Sequence, residues 1–325
     1  MKLASLDAAG RDGRLIVVNH AGSLFLDAHS VAPTLQAALD DWASLQPRLQ
    51  ALAARLEHRP EEGRPLDPHA LLAPLPRAYE WIDASAYLHH VVLVRRARGA
   101  EPPPTLWTDP LVYQGGSGVL LGPHAPFVLP ERAWGLDFEG EIALVLGDVP
   151  QGTRAADAAA HIRLVLLAND WSYRELIPAE LAKGFGFFNA KPATSFSGFA
   201  VTPDELGGAW REGRLHLPLQ CRLNGALVGK AEAGVGMHFS FYQLIEHIAK
   251  TRSLTAGTIL GSGTVSNDDD SVGVSCLAER RVRETLRDGK PSTPFLGHGD
   301  VVRIEMTNAL GESPFGSLEA RVVAP

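Results

Sequence analysis

Three carboxylates set in apolar surroundings are the residues of this chain best suited to chemistry. In Phe138-Glu139-Gly140-Glu141-Ile142-Ala143-Leu144-Val145-Leu146, strand geometry sends successive side chains to opposite faces. Glu139 and Glu141 therefore share one face, while Phe138, Ile142, Leu144 and Leu146 share the other. Burying an unpaired carboxylate costs several kcal/mol or forces it to take a proton, and two at i, i+2 also repel, so a cation belongs between them. Roughly 30 residues on, the apolar run Leu164–Ala168 ends in Asn169-Asp170-Trp171-Ser172-Tyr173-Arg174, which adds a third carboxylate at a strand end. An all-oxygen set suits a hard divalent cation, Mg²⁺ or Ca²⁺, and not zinc, which prefers nitrogen and sulfur. The competing reading is an exposed edge strand with solvated glutamates; the third carboxylate and the apolar flanks weigh against it.

The elements that must hold these residues divide the chain in two. Residues 1–75 read as a small N-terminal α+β domain. Its strands Leu15–Val18 and Ser23–Leu26 flank the hairpin signal His20-Ala21-Gly22, and Val31–Leu56 has helical spacing that Pro47 should interrupt. His58–Pro65, polar and rich in Pro and Gly, reads as a linker. Residues 76–325 form the second domain, a chain of short β-like runs at 118–121, 138–146, 164–168, 199–201, 215–223, 272–277 and 301–306. Helices are expected at 157–161 and 241–250. The fold class is α+β, rich in β, with the site on loops and strand ends.

With 325 residues the chain can bury a large core, and its formal net charge of -7 argues against nucleic acid as a partner. The short clusters Arg95, Arg96, Arg98 and Arg280, Arg281, Arg283 suit helix faces or carboxylate binding. Cys221 and Cys276 form no close-spaced pair, so neither a disulfide framework nor a thiolate metal site is expected, and the reducing cytoplasm is the default compartment. The stretch Met1–Asp7 lacks the apolar segment of a signal peptide and no run reaches membrane-spanning length, so a soluble protein with no membrane partner is expected.

Other residues carry weaker signals. Asp83 precedes His90 by seven positions, with His89 beside it. Gly115-Gly116-Ser117-Gly118 and Gly261-Ser262-Gly263-Thr264 could present backbone N–H groups to an anion, or be ordinary turns. Lys183 and Lys191 bracket a glycine and aromatic stretch, where a lysine can neutralise an oxyanion or simply be exposed. Asp268-Asp269-Asp270 reads as a solvated turn.

In their order along the chain, Asp83 and His90, Tyr113-Gln114-Gly115, Asp137-Phe138-Glu139-Gly140-Glu141, Asn169-Asp170-Trp171-Ser172-Tyr173-Arg174, Lys191, Gly261-Ser262-Gly263-Thr264 and Glu279 resemble the fumarylacetoacetate hydrolase family over roughly residues 75–325. The leading domain resembles the smaller N-terminal domain of its fumarylacetoacetase-like members. The resemblance implies a mixed β-roll, usually dimeric, acting on 1,3-dicarbonyl and 2-oxo acids. It implies Mg²⁺ or Ca²⁺ on Asp83, Glu139, Glu141 and Asp170, with His90 as general base oriented by Glu279. Lys191 would stabilise negative charge, and Tyr113, Arg174 and Thr264 would hold substrate oxygens. Two positions depart from the fumarylacetoacetase pattern: Ile177 replaces a glutamine that touches substrate, and Ser85 replaces a tyrosine. The expected activity is metal-dependent hydrolysis of a carbon–carbon bond in a 2,4-dioxo acid such as fumarylacetoacetate or an acylpyruvate, carried out by a homodimer. The alternatives are decarboxylation, hydration or isomerisation of 2-oxo or enol diacids on the same site, or metal binding without catalysis.

Overall fold

A strand that is apolar on both faces must be covered on both. Gly140–Leu146 is buried throughout and Ile162–Asp170 is buried at every residue except Arg163. They pair antiparallel near the middle of an eleven-stranded sheet. The structure, a computed structural model, describes residues 1–8, 10–97, 101–308 and 310–325, so Arg98 lies outside the described residues. Across the sheet the order runs Arg64–Pro65, Leu24–Asp27, Arg14–Val18, Lys2–Leu6, Ala200–Val201, Ile162–Asp170, Gly140–Leu146, Ile259–Gly261, Trp81–Ala84, Val112–Gly115, with Thr194–Phe196 pairing to Ile162–Asp170 off this path. Neighbours are antiparallel except Ile259–Gly261 and Trp81–Ala84, which are parallel.

Alternation then sorts the core. Ile142, Leu144, Val165 and Leu167 join one cluster with Leu219, Val302, Ile304 and Leu318 of a second, five-stranded sheet. Ala143, Val145, Leu164, Leu166 and Trp81 join another with Leu35, Leu39, Trp42 and Leu49 of the helices Leu35–Asp40 and Trp42–His58. The N-terminal strands are continuous with the main sheet, through Lys2 opposite Val201. No helix among the described residues is long and apolar enough to cross a membrane.

Several elements differ from the sequence expectation for identifiable reasons. The break near the first helices falls at Asp41, and Pro47 lies inside Trp42–His58, early enough to remove one backbone hydrogen bond without ending the helix. The stretch expected as a linker finishes that helix, turns through Pro60–Glu62 and supplies the edge strand Arg64–Pro65. Residues 118–121 form no strand, and 157–161 is a short 3₁₀ turn, Ala158–His161. The expected strand 272–277 is instead the end of a turn and the start of a helix, Leu277–Asp288, closed by Gly289 in the left-handed region at φ 80°. His89 and His90 lie on another unforeseen helix, Leu88–Ala97.

One glycine is required by close packing. A Cβ on Gly261 would stand 2.3 Å from Asp83 Oδ1 and 2.4 Å from the Trp81 ring, because the Asp83 side chain crosses the neighbouring strand at this point. We therefore expect Gly261→Ala to destabilise the protein by about 1 to 3 kcal/mol, seen as a lower urea midpoint with an unchanged m-value. A midpoint equal to that of the parent protein would show that Asp83 is not confined there.

Candidate active site

The central sheet brings three carboxylates to one place by periodicity and register. Asp83 follows Trp81 on the same face of its strand, Glu141 precedes Ala143 and Val145, and Asp170 follows Leu166 and Ala168. These apolar neighbours all belong to the cluster beneath the N-terminal helices. Since Gly261 pairs with both Asp83 and Ala143, and Ala168 with Glu141, the carboxylates meet where this apolar face ends. Oxygen atoms of Asp83, Glu141 and Asp170 lie within 4.8 Å of one another, and all three residues are buried.

Each carboxylate is held differently. Asp83 Oδ1 accepts from the Gly263 N–H at 3.0 Å, so the glycine-rich turn holds a carboxyl group of the protein itself. Asp170 accepts from Thr194 Oγ1 at 2.7 Å, from the Tyr113 hydroxyl at 2.5 Å and from Lys191 Nζ at 2.7 Å. Among the described residues, both oxygens of Glu141, a residue with no exposed surface, lack any hydrogen-bond partner. Burial, then Asp83 and Asp170, hold the Glu141 carboxyl well above its ordinary range. Burial and the Asp170 charge push Asp83 up to about 8. An unpartnered buried carboxylate between two others has the donor chemistry of a hard divalent cation site, so these residues fit such an ion.

Glu139 lies outside that trio. Its oxygens meet Lys191 Nζ at 2.5 Å and Arg174 Nη2 at 2.7 Å. Burial works against its charge, yet Lys191, Arg174 and His90 bring its carboxyl down to about 2. Lys191 thus bridges Glu139 and Asp170, whose charges outweigh its own burial and raise its pKa. Arg174 also donates from Nε to Asp137 at 2.8 Å, so it is engaged on two carboxylates. Asp137 in turn accepts the backbone N–H groups of Leu277 and Ala278 at 2.7 and 2.9 Å. That contact fixes the first turn of the helix carrying Glu279.

On that turn Glu279 reaches His90, with Oε1 2.9 Å from Nδ1. Burial opposes the Glu279 charge, but the hydrogen bond to His90 keeps its carboxyl below the usual range. His89, about 100° away around the helix, has Nδ1 2.9 Å from Ser266 Oγ and Nε2 3.8 Å from the exposed Asp268. Thr264 is buried one residue beyond Gly263.

Beside Lys191 and Tyr113 opens a cavity of about 920 Å³. Leu176, Ala179 and Glu180 line it, whereas Ile177, which the sequence suggested would face substrate, is buried and does not. Two contributors had no role in the sequence reading. Asp137 was noted only within its motif. Glu180 accepts the N–H groups of Phe188, Asn189 and Ala190 at 2.9, 2.7 and 3.1 Å and so shapes the approach to Lys191. Its only sequence signal is a glutamate five residues before the aromatic run that begins at Phe185.

A family model described as fumarylacetoacetate (FAA) hydrolase C-terminal matches residues 80–323, and another, fumarylacetoacetase N-terminal domain 2, matches residues 1–77. The chain belongs to the fumarylacetoacetate hydrolase family. Among its curated relatives in that family, the mitochondrial oxaloacetate tautomerase Fahd2a of Rattus norvegicus is 26% identical over 159 residues, which is 48% of each chain. The present chain thus spans about half the length of that relative. In fold it is similar to fumarylacetoacetate hydrolase from Exiguobacterium antarcticum, with TM-score 0.70, 20% identity and 100% of both chains covered. It is also similar to maleylpyruvate hydrolase from Sphingobium sp. SYK-6 in complex with manganese(II) ion and pyruvate, with TM-score 0.65, 18% identity, and 100% and 99% of the two chains covered. The architecture is therefore the α+β fold of the fumarylacetoacetate hydrolase family with its N-terminal domain.

A cation entering the trio must displace the protons that Asp83 and Glu141 retain. Because the Asp83 carboxyl is raised to about 8, it is protonated below that pH, and Mg²⁺ affinity is expected to climb as pH rises toward that value, with net proton release. Calorimetry in buffers of different protonation enthalpy measures both, and an affinity that is flat with pH would contradict the assignment.

Proposed function

We propose that this member of the family is a divalent-metal-dependent hydrolase that cleaves a carbon–carbon bond in a 2,4-dioxo acid. The observation that carries the reading is the unpartnered Glu141 carboxylate facing Asp83 and Asp170, with a His90–Glu279 pair in the same domain. Metal binding alone requires no such histidine. Magnesium or calcium on Asp83, Glu141 and Asp170, with Glu139 close by, would polarise the two oxygens of a 1,3-dicarbonyl.

The chain's own residues supply the rest. Glu279, on Nδ1 of His90, orients the imidazole, leaving Nε2 to take a proton from water. The hydroxide oxygen bonds to one carbonyl carbon. As that carbonyl re-forms, the carbon–carbon bond breaks and its electron pair leaves with the other fragment as an enolate. His90 then returns its proton to that fragment. Lys191, which lines the cavity, would offset the developing negative charge, and Tyr113, on the same lining, and Thr264 would hold substrate oxygens. Arg174 acts by fixing Glu139 and Asp137.

A second reading is isomerisation or decarboxylation of a 2-oxo or enol diacid, which needs no attack by water; the oxaloacetate tautomerase relative supports the isomerisation. Under either reading we propose a homodimer in the cytoplasm acting on a small oxo acid, with neither nucleic acid nor membrane as partner. The buried, unpaired Cys221 and Cys276 suit a reducing compartment.

Product analysis of the Mg²⁺-loaded protein against acylpyruvates, fumarylacetoacetate and oxaloacetate separates the readings. Carbon–carbon hydrolysis of a dioxo acid is expected, and turnover of oxaloacetate alone would move the protein to the second reading. His90→Ala is expected to lower the hydrolytic rate by roughly 10² to 10⁴ with metal affinity nearly intact. If His89→Ala proves the inactive variant instead, the base has been misassigned.

A further inference from the structure

The cavity beside Lys191 is much larger than a four-carbon acid requires, and its walls are aromatic. At about 920 Å³ it lies at the upper end of the range for sites that enclose drug-sized ligands. Tyr173 stands edge-on to both Trp134 and Phe127, with ring centroids 5.1 and 6.2 Å away. Phe187 stands edge-on to Tyr113 at 5.3 Å, beside Lys191, and Leu176 and Pro130 complete the apolar lining.

The charged groups of the lining are poorly placed for a distal carboxylate. Among the described residues, its cations are Lys183 and Lys191. Lys191 is committed to Glu139 and Asp170, and Lys183 is exposed. Glu180 adds a negative charge to the same wall, fixed there by three backbone N–H groups.

We infer that this cavity is an acyl-group subsite selecting 2,4-dioxo acids whose distal carbonyl bears an aryl or bulky apolar group. The inference rests on the proposed reading of the adjoining carboxylates as the place where the oxo acid is held. Edge and face contacts from the half-buried Trp134 and Phe187, backed by the buried Phe127 and Tyr173, would replace water against a phenyl ring. A terminal carboxylate in the same position would lose its hydration beside Glu180, with Lys191 already engaged by Glu139 and Asp170 and Lys183 hydrated at the surface.

The test measures binding separately from cleavage. Three 2,4-dioxo acids with methyl, phenyl or carboxyethyl on the distal carbonyl are titrated calorimetrically into the Mg²⁺-loaded protein, and the same three are assayed for hydrolysis. The phenyl compound is expected to bind about 10- to 100-fold more tightly than the methyl compound. In Trp134→Ala and Phe187→Ala, both at half-buried positions, the phenyl-to-methyl affinity ratio should fall toward one; because this is a ratio within one variant, general loss of folded protein does not imitate it. Equal affinities, a preference for carboxyethyl, or no binding of any of the three would overturn the subsite. A phenyl preference in binding without cleavage of any compound would leave the subsite standing and refute the hydrolase reading; cleavage without phenyl preference would do the reverse.

Discussion

Five buried carboxylates, Asp83, Asp137, Glu139, Glu141 and Asp170, share their surroundings with two partly buried cations, Lys191 and Arg174, and this imbalance governs the architecture around them. A protein interior tolerates ionised groups only when they are paired or bound to metal. Lys191 and Arg174 satisfy Glu139, and Lys191 with Thr194 and Tyr113 satisfies Asp170. The remainder of the negative charge falls on Asp83 and Glu141, which meet it by holding protons. Such a crowded, cation-poor set of oxygens has the donor chemistry that a hard divalent cation would satisfy. The rigidity of a sheet covered on both faces keeps the carboxylates from separating to relieve their repulsion.

The parts of this site legible in the sequence are those controlled by local periodicity. Strand alternation alone places Glu141 on one face and Ile142 and Leu144 on the other, and the apolar run before Asp170 marks a strand end. The approach of Asp83 is not local. It depends on Ile259–Gly261 inserting between two strands more than a hundred residues earlier in the chain, with Gly261 lacking the side chain that would block the contact. The Glu279 helix was hidden by its start, where Val272–Leu277 reads as a β-branched apolar run; the charged residues at helical spacing and the terminal Gly289 were the available counter-signals. Glu139 illustrates a different limit: i, i+2 spacing puts it on the face of Glu141, but spacing cannot reveal that Arg174 and Lys191 would occupy its oxygens. At Ile177 the one-residue shift from Leu176 decides whether a side chain faces the cavity or the core.

Asp137 joins the two chemical halves of the site. It takes a hydrogen bond from Arg174, which holds Glu139, and two from the helix start that carries Glu279 toward His90. Movement of that helix is therefore coupled to the carboxylates through a single buried side chain. The segment 188–190 is similarly fixed by Glu180, so the route to Lys191 has a defined wall on one side.

The placement of Ile259–Gly261 between the strands of Glu141 and Asp83 has a consequence for how the molecule is made. During synthesis the residues of the N-terminal unit, Asp83, Glu141 and Asp170 all leave the ribosome before the strand that sets two of them side by side. Until then the edges of Gly140–Leu146 and Trp81–Ala84 have no partner for their inner hydrogen bonds. Closure of the central sheet must be a late, long-range event, and such events are slow and expose apolar edges to other chains.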